Sequence, residues 1–330
     1  MQLRRHFLAV IACVILAPGW PPAQAWAKGT GYIFVSSEDD HVVSVLKGGS
    51  LKKVRDVKTA QRPRGLHFSP DHRLLYVACG DGDSVDVIDV GKLEVVNQLE
   101  VGDDPETFDL SPDGETMYVS NEDDAMMTAF DLTTEKKIGS VGLGPEPEGV
   151  LATPDGKTVY VASEVASMVH VVNANTLALE NNVVVGARPR RFALTPDEQF
   201  LWVTSEIDGS VSIIDTATHK VVGKIAFEPE GFRAENITPV GIEMTKDGTT
   251  AFVALGGANH VAVVDVDDRE VYEYILVGKR PWNVALTGNE QTLYVVNGLS
   301  DDLSVIDVEE LEVTRSVPVS RVPYGVVIDD

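Results

Sequence analysis

Short apolar runs separated by polar turns follow one another along this chain. In residues 65–101 such runs occupy 65–69, 74–79, 84–88 and 94–99. They are rich in β-branched and aromatic residues and alternate between apolar and polar positions, which is typical of strands. The fourth run, Glu94-Val-Val-Asn-Gln-Leu, is polar enough for an exposed edge. We therefore predict four strands in this segment.

The same segment recurs along the chain. Seven prolines are separated by steps of 42, 42, 42, 50, 42 and 42 residues: Pro63, Pro105, Pro147, Pro189, Pro239, Pro281 and Pro323. One aromatic residue keeps the same spacing: Phe34, Tyr76, Tyr118, Tyr160, Trp202, Phe252 and Tyr294. A period near 42 built from four short strands predicts the blades of a β-propeller.

The two ends of the repeat region complete each other. The chain enters the pattern at Gly31 without a first strand, and it ends with Tyr324-Gly-Val-Val-Ile-Asp, which has the pattern of a first strand. We therefore predict an all-β, seven-bladed propeller over residues 31–330. One of its four-stranded blades would combine three N-terminal strands with one C-terminal strand, leaving no free sheet edge.

The first 25 residues have the pattern of an export signal. Arg4 and Arg5 precede an apolar run over 7–17, and Ala23-Gln24-Ala25 forms a cleavage site, with 26–30 as a short linker. The run is too short to span a bilayer. We expect a periplasmic protein, and the arginine pair leaves Sec and twin-arginine export both open.

Charge and cysteine content exclude several functions. Without Arg4 and Arg5, 25 basic residues face 51 acidic ones, a net charge of −26 that would repel nucleic acid. Cys79 is the one cysteine after position 25, so neither an internal disulfide nor a covalent c-type haem is expected. The sequence shows no metal or cofactor motif, and we expect a monomer.

Charged and aromatic residues flank the repeating proline. In a propeller the turn between strands two and three and the turn leading to the next blade share one face, so these residues should surround the channel mouth. Guanidinium groups suit carboxylates, and we therefore predict a site here for an anionic ligand or a partner. Its candidates are Arg62, Arg64, Glu106, Glu148, Arg188, Arg190, Arg280, Trp282 and Tyr324.

Two further features belong to the same face. The step of 50 residues places eight extra residues in one turn, over 227–238, and adds Phe232 and Arg233 to the candidates as a lid or docking loop. Four glutamates begin turns between strands two and three, where they would be counter-ions, partner contacts or simply solvated: Glu38, Glu122, Glu164 and Glu206.

Three predicted inner strands carry a polar residue where their siblings have an apolar one. These are His67, Asp109 and Glu243. A buried polar group needs a hydrogen-bond partner. His67 and Asp109 lie on neighbouring blades, so we predict that they pair. The alternative is a channel site for a proton shuttle or a cation.

Leu75-Tyr-Val-Ala-Cys, Met117-Tyr-Val-Ser-Asn and Leu293-Tyr-Val-Val-Asn closely resemble the YVTN-type propeller repeat. With the leader, the seven repeats and the enlarged fifth turn, the chain resembles the β-propeller family associated with pyrroloquinoline-quinone (PQQ)-dependent alcohol catabolism. That resemblance implies a periplasmic accessory, and we expect a non-catalytic binding protein. Its implied partner is a quinoprotein dehydrogenase, a cytochrome or a transport component. It supplies no catalytic residue and leaves direct PQQ binding open.

Two other functions fit the same frame. A lactonase-type propeller would use His67, Arg64, Arg190 and Glu243 at the channel, with arginine stabilising a developing oxyanion. Surface-layer and adhesion proteins reuse the same repeat. Fold alone does not choose among these functions, because propellers host many unrelated activities.

Overall fold

The computed structural model describes residues 29–330, which form seven four-stranded antiparallel sheets arranged as the blades of a propeller. Blade 1 is β28 (Pro323–Asp329), β1 (Tyr32–Ser37), β2 (Val42–Lys47) and β3 (Lys52–Lys58), and blade 2 is β4 (Pro63–Phe68), β5 (Leu74–Cys79), β6 (Ser84–Asp89) and β7 (Glu94–Leu99). Blade 3 is β8 (Pro105–Leu110), β9 (Thr116–Asn121), β10 (Met126–Asp131) and β11 (Lys136–Gly142), and blade 4 is β12 (Pro147–Ala152), β13 (Thr158–Ser163), β14 (Met168–Asn173) and β15 (Leu179–Val184).

The remaining blades follow the same order. Blade 5 is β16 (Pro189–Leu194), β17 (Phe200–Ser205), β18 (Ser210–Asp215) and β19 (Lys220–Ala226), and blade 6 is β20 (Pro239–Met244), β21 (Thr250–Leu255), β22 (His260–Asp265) and β23 (Glu270–Leu276). Blade 7 is β24 (Pro281–Leu286), β25 (Thr292–Asn297), β26 (Asp302–Asp307) and β27 (Glu312–Pro318). Two 3-10 turns, Gly80–Gly82 and Ala234–Asn236, interrupt the strand pattern.

Blade 1 closes the ring as predicted. The C-terminal β28 pairs with β1, with Tyr32 opposite Asp329 and Phe34 opposite Val327. The buried Asp329 carboxylate also accepts hydrogen bonds from the backbone and the hydroxyl of Thr30, at 2.7 and 2.5 Å. Side-chain bonds therefore reinforce the joint between the two ends of the chain.

The core lies between adjacent sheets rather than at the centre of the ring. One cluster, for example, packs Phe34 and Val45 of blade 1 against Leu75 and Val77 of blade 2. The repeating aromatic residue is nearly fully buried in every blade. It stands opposite the fifth residue of the inner strand, so that Tyr76 pairs with His67 and Tyr118 with Asp109.

Each inner strand has a register shift at its proline end. In three blades, a side-chain hydroxyl forms hydrogen bonds with backbone groups that the shift leaves outside the strand ladder. Ser36 accepts from the N–H of Gly325 at 2.9 Å and donates to the carbonyl of Arg64 in the next blade at 2.7 Å. Ser120 and Thr204 make equivalent bonds to the carbonyls of Glu148 and Val240. These bonds therefore link three pairs of adjacent blades at the channel wall: 1 with 2, 3 with 4, and 5 with 6.

The predicted leader (1–25) and most of the predicted linker (26–30) lie outside the described residues. Over 29–330, no helix has the length and apolar character that a bilayer span requires.

Candidate functional site

The residues flanking the repeating proline lie together at one end of the central channel, which we call the rim face. In every blade the residue before the proline accepts a backbone hydrogen bond from the turn after the second strand. Arg62 accepts from Gly80 at 3.0 Å and Arg188 from Glu206 at 2.8 Å. This bond brings the two turns predicted to share a face into direct contact.

Six side chains fill the channel at the rim face, and we call them the plug: Arg64, Glu106, Glu148, Arg190, Arg191 and Tyr324. At its centre, Glu148 accepts from the Tyr324 hydroxyl at 2.8 Å and pairs with Arg191 Nη1 at 2.9 Å and Arg190 Nη2 at 3.3 Å. Burial raises the pKa of Glu148, but the two arginines and the tyrosine outweigh this effect and lower it well below its usual range. Glu148 is therefore a buried carboxylate that stays ionised.

Tyr324 connects opposite sides of the ring. It comes from the inner strand of blade 1, yet its hydroxyl accepts from Arg191 Nη2 of blade 5 at 2.5 Å. The Arg64 guanidinium lies 4.5 Å from the ring centroid, close enough for a cation–π interaction. Burial raises the Tyr324 pKa to about 12, so its hydroxyl remains protonated and can donate to Glu148.

The other predicted arginines are also paired. Arg190 bonds to Glu164, while Arg188 lies 2.5 Å from the same carboxylate. Arg280 lies 2.5 Å from Glu206 and 4.2 Å from the centre of the Trp282 ring. Three of the four glutamates that begin turns between strands two and three thus act as counter-ions: Glu164, Glu206 and Glu38, which lies 2.7 Å from Arg64.

The guanidinium of Arg62 on blade 2 pairs with a cluster of acidic residues on blade 3. Arg62 bonds to Asp104 and lies 2.8 Å from Glu106, and Arg64 bonds to the second oxygen of Glu106. Burial and a hydrogen bond to Glu106 raise the pKa of Glu122 to about 9, so it stays protonated at neutral pH. Oxygens of Asp104, Glu106 and Glu122 lie within 4.8 Å of one another. Because Arg62 and Arg64 already pair with Asp104 and Glu106, we do not assign this cluster as a metal site.

The turns between strands two and three begin with either a glutamate or a glycine. Three blades have the glycine, and a Cβ there would clash with a rim-face side chain of the same or the neighbouring turn. A Cβ on Gly80 would lie 2.3 Å from Arg62 Nη2, and one on Gly298 would lie 2.4 Å from the Trp282 indole nitrogen. Each turn therefore provides either a counter-ion or the space for a large side chain.

These contacts correct one expectation. We expected the channel-mouth arginines to be available to an anionic ligand or a partner. Instead, Arg190 is 3% exposed and Glu106 is fully buried, because the ion pairs are drawn into the channel. The arginines predicted to bind an anion are therefore already paired with glutamates of the protein.

The long turn over 227–238 lies to one side of the plug. Phe232 packs edge-on against His260 with ring centres 5.6 Å apart, and the Glu228 N–H donates to the Tyr274 hydroxyl at 2.8 Å. Arg233 is exposed, 3.6 Å from Glu235. These contacts hold the loop against blade 6, not over the arginines.

The opposite face of the ring has an open cavity, which we call the chamber. It has a volume of about 470 Å³ and is lined by the inner-strand ends of blades 1, 2, 3, 6 and 7. A deeper space of about 180 Å³ shares Leu66, Val284 and Val326 with it and is bounded by Arg191. The channel is therefore a blind passage, open on this face and blocked by the plug on the rim face.

His67 and Asp109 lie beside this passage and face each other, as predicted. His67 Nε2 lies 3.3 Å from Asp109 Oδ1, and His67 Nδ1 lies 2.7 Å from the Phe68 carbonyl. Because a carbonyl only accepts, Nδ1 carries a proton. Nε2 lies within ion-pair distance of the carboxylate, so a protonated His67 would pair with an ionised Asp109.

Asp109 is held by more than the histidine. Its Oδ2 accepts from the Ala152 N–H and its Oδ1 from the Leu110 N–H, both at 2.8 Å. Burial raises the Asp109 pKa, opposed by the attraction of His67 and by these two bonds. Asp109 thereby links the inner strands of blades 3 and 4 as well as orienting His67.

Glu243 lines the chamber and has no hydrogen-bond partner among the described side chains. Its pKa is raised to about 7, chiefly because burial disfavours the charged form and also because Glu290 repels it. A carboxyl group with this pKa can accept and return a proton at neutral pH.

One site residue escaped the sequence analysis. Arg191 stands where four sibling strands have glycine. It belongs to the plug and also bounds the deeper space that adjoins the chamber. A charged residue in a slot otherwise held by Gly65, Thr107, Gly149, Gly241, Asn283 and Gly325 was the available signal. The four predicted lactonase residues, meanwhile, are divided: Arg64 and Arg190 belong to the plug, His67 and Glu243 to the chamber.

Comparison with known proteins agrees with this architecture. Residues 179–327 match the family model of the seven-bladed beta-propeller lactonases, and residues 29–123 match that of the cytochrome D1 heme domain. Neither match reaches half of the chain. No curated protein matches the sequence.

Several solved structures share the fold. Hydrazine synthase of Kuenenia stuttgartiensis is 21% identical with a TM-score of 0.76, covering 88% of this chain and 99% of that one. A proposed 6-phosphogluconolactonase of Bacteroides uniformis is 16% identical with a TM-score of 0.75, covering 90% and 99%. The dihydro-heme d1 dehydrogenase NirN, in complex with DHE, is 19% identical with a TM-score of 0.67, covering 92% and 66%. At these identities the likeness establishes a seven-bladed propeller and no particular activity.

Proposed function

We propose that this protein is a lactonase-like hydrolase whose active site is the chamber. The observation that carries the proposal is the placement of Glu243 and His67 on the wall of one blind cavity. The partial match to the lactonase family model supports it. The PQQ-associated family resemblance does not exclude it, because that resemblance leaves the molecular role open.

The chamber residues divide the chemistry of lactone hydrolysis between them. Glu243, with a pKa of about 7, takes a proton from water as the oxygen of that water attacks the lactone carbonyl carbon. His67 on the chamber wall stabilises the developing oxyanion when its imidazole is protonated, and Asp109 balances that charge. Collapse breaks the bond between the carbonyl carbon and the ring oxygen. The ring oxygen then receives the proton from Glu243, and the product is a hydroxy acid.

The test is hydrolysis of a lactone panel by purified protein, followed by pH titration against a blank without protein. We expect kcat/KM to rise with pH through about 7, because Glu243 acts deprotonated. Glu243→Gln should lower kcat/KM by roughly 100-fold or more, within the range for a lost general base. Glu312→Gln, the same change on an exposed outer strand, is the matched control. Equal activity of the two variants would contradict the assignment of Glu243.

A second function is favoured by a different surface. Three exposed apolar residues project from rim-face turns: Val165 at 62%, Ile207 at 66% and Leu299 at 71% exposure. We propose as the alternative that this face docks a periplasmic partner of PQQ-dependent alcohol oxidation, as the resemblance implies, with the acidic charge favouring a basic partner. Pull-down with a quinoprotein dehydrogenase should then be lost when all three residues are changed to serine. Binding that survives the triple change would remove this surface from consideration.

A further inference from the structure

The arginine side chains in the channel are already paired with carboxylates of the protein. Arg64, Arg190 and Arg191 are the arginines nearest its axis, and their side chains are 14%, 3% and 14% exposed. Each lies within ion-pair distance of Glu148 and, for Arg64 and Arg190, of a second glutamate. Recruiting one of them for a ligand would leave a buried carboxylate without its partner, which is costly.

The chamber wall continues this pattern toward the open face. Its two histidines are both paired with carboxylates, His67 with Asp109 at 3.3 Å and His72 with Asp329 at 2.9 Å. Glu243 has no cationic partner among the described residues and repels an anion when ionised. The other walls are largely apolar, and Val284, Leu286 and Ile328 are examples.

An anionic group entering this chamber would meet no free cation among the described lining residues. A phosphate monoester carries roughly two negative charges at neutral pH. In the chamber this group would lose its hydration and approach the carboxyl group of Glu243. The chain as a whole also repels it, because its formal net charge is −24. Like-charge contact of this kind costs several kcal/mol, and each 1.4 kcal/mol is about tenfold in affinity.

We infer that the ligand of the chamber is an uncharged, unphosphorylated ring compound, and that the substrate of the proposed reaction is therefore a neutral lactone. The inference rests on the proposed function for its reaction but on the chamber walls for its charge selectivity. This substrate choice would distinguish the protein from a 6-phosphogluconolactonase, the kind of enzyme that one of its structural neighbours is proposed to be.

The experiment has a catalytic arm and a binding arm. The catalytic arm compares glucono-δ-lactone with its 6-phosphate, each against a blank without protein. The binding arm measures, by calorimetry at matched ionic strength, 1,5-anhydroglucitol and its 6-phosphate, which have the ring without the reactive carbonyl. We expect a preference of roughly 100-fold or more for the unphosphorylated member of each pair.

A gain of charge in the chamber provides the matched variant. Val327 lines the chamber on blade 1, in the position that His67 occupies on blade 2. Val327→Lys should shift the preference toward the phosphorylated member by tenfold or more. Val54→Lys makes the same change on an outer strand, where Val54 is 43% exposed, and should leave the preference unchanged.

The outcomes separate the two proposals. Selective binding of 1,5-anhydroglucitol without hydrolysis of either lactone would remove the hydrolase and keep the chamber's selectivity. Preference for either phosphorylated compound, or binding of neither ring compound, would overturn the inference. A Val327→Lys variant that folds but keeps the original preference would also count against it, because the added charge would then not face the ligand.

Discussion

Replacing Glu148 with alanine tests whether the plug is a cooperative ion-pair network. Glu148 is 2% exposed, and its two oxygens are shared by Tyr324, Arg190, Arg191 and, at 3.8 Å, Arg64. Removing one partner of a buried ion pair costs roughly 3–5 kcal/mol. We expect the free energy of unfolding at pH 7, measured by denaturant titration, to fall by about that amount. Glu148→Gln keeps an acceptor for the Tyr324 hydroxyl and should cost less.

The pH dependence of this loss has a defined sign. The pKa of Glu148 is lowered from 4.5 in the folded protein, so its stabilising contribution is complete above pH 4.5 and is lost as the pH falls through the folded value. The difference between wild type and Glu148→Ala should therefore shrink in strong acid. Lys157→Ala, which breaks an exposed pair with Asp155, should leave the free energy of unfolding unchanged. A Glu148→Ala variant within about 1 kcal/mol of wild type at pH 7 would refute the network argument.

Three further changes test other parts of the ring. Glu243→Gln should stabilise the protein above pH 7 by up to about 3 kcal/mol and leave it unchanged near pH 4, since the raised pKa of about 7 marks a destabilised charged form; equal stability at pH 8 would contradict this. Deleting 324–330 should unfold the ring or cause oligomerisation on gel filtration, because β1 loses its inner partner β28 and exposes an edge; a monomer with unchanged melting temperature would contradict closure. Asp109→Leu should cost roughly 1–3 kcal/mol by thermal denaturation, alone or combined with His67→Leu, because the Ala152 N–H loses its acceptor either way; full recovery in the double variant would show that the histidine is the only partner that matters.

The fold was predictable because each blade repeats the same local signals. The proline and the buried aromatic each recur at one position, and ring closure follows from the strand missing at Gly31 and present at Tyr324. The pairing of His67 with Asp109 was also predictable, because equivalent positions on neighbouring inner strands must lie side by side. What the repeat could not show was that Asp109 also accepts two backbone hydrogen bonds.

The state of the rim residues was not predictable in the same way. The repeat places Arg64, Glu148 and Tyr324 around one mouth, but whether they face solvent or each other depends on the width of the channel. Glu148 and Tyr324 are 176 residues apart in sequence, yet their side chains are 2.8 Å apart. His67 and Glu243 were predicted to line the channel, but the extent of the chamber was not, since its other walls are apolar residues whose pattern equals that of any core strand.

Ring closure and channel closure meet in one strand. β28 supplies the missing inner strand of blade 1, and the same strand supplies Tyr324 to the plug. Its last buried acid, Asp329, accepts from Thr30 near the start of the described chain and lies 2.9 Å from His72 of blade 2. Because β28 bonds at one end to the plug and at the other to the wall of the open face, the blind chamber can exist only once the C-terminus has docked. A ligand of the chamber should therefore stabilise the closed ring, since it binds only the folded state.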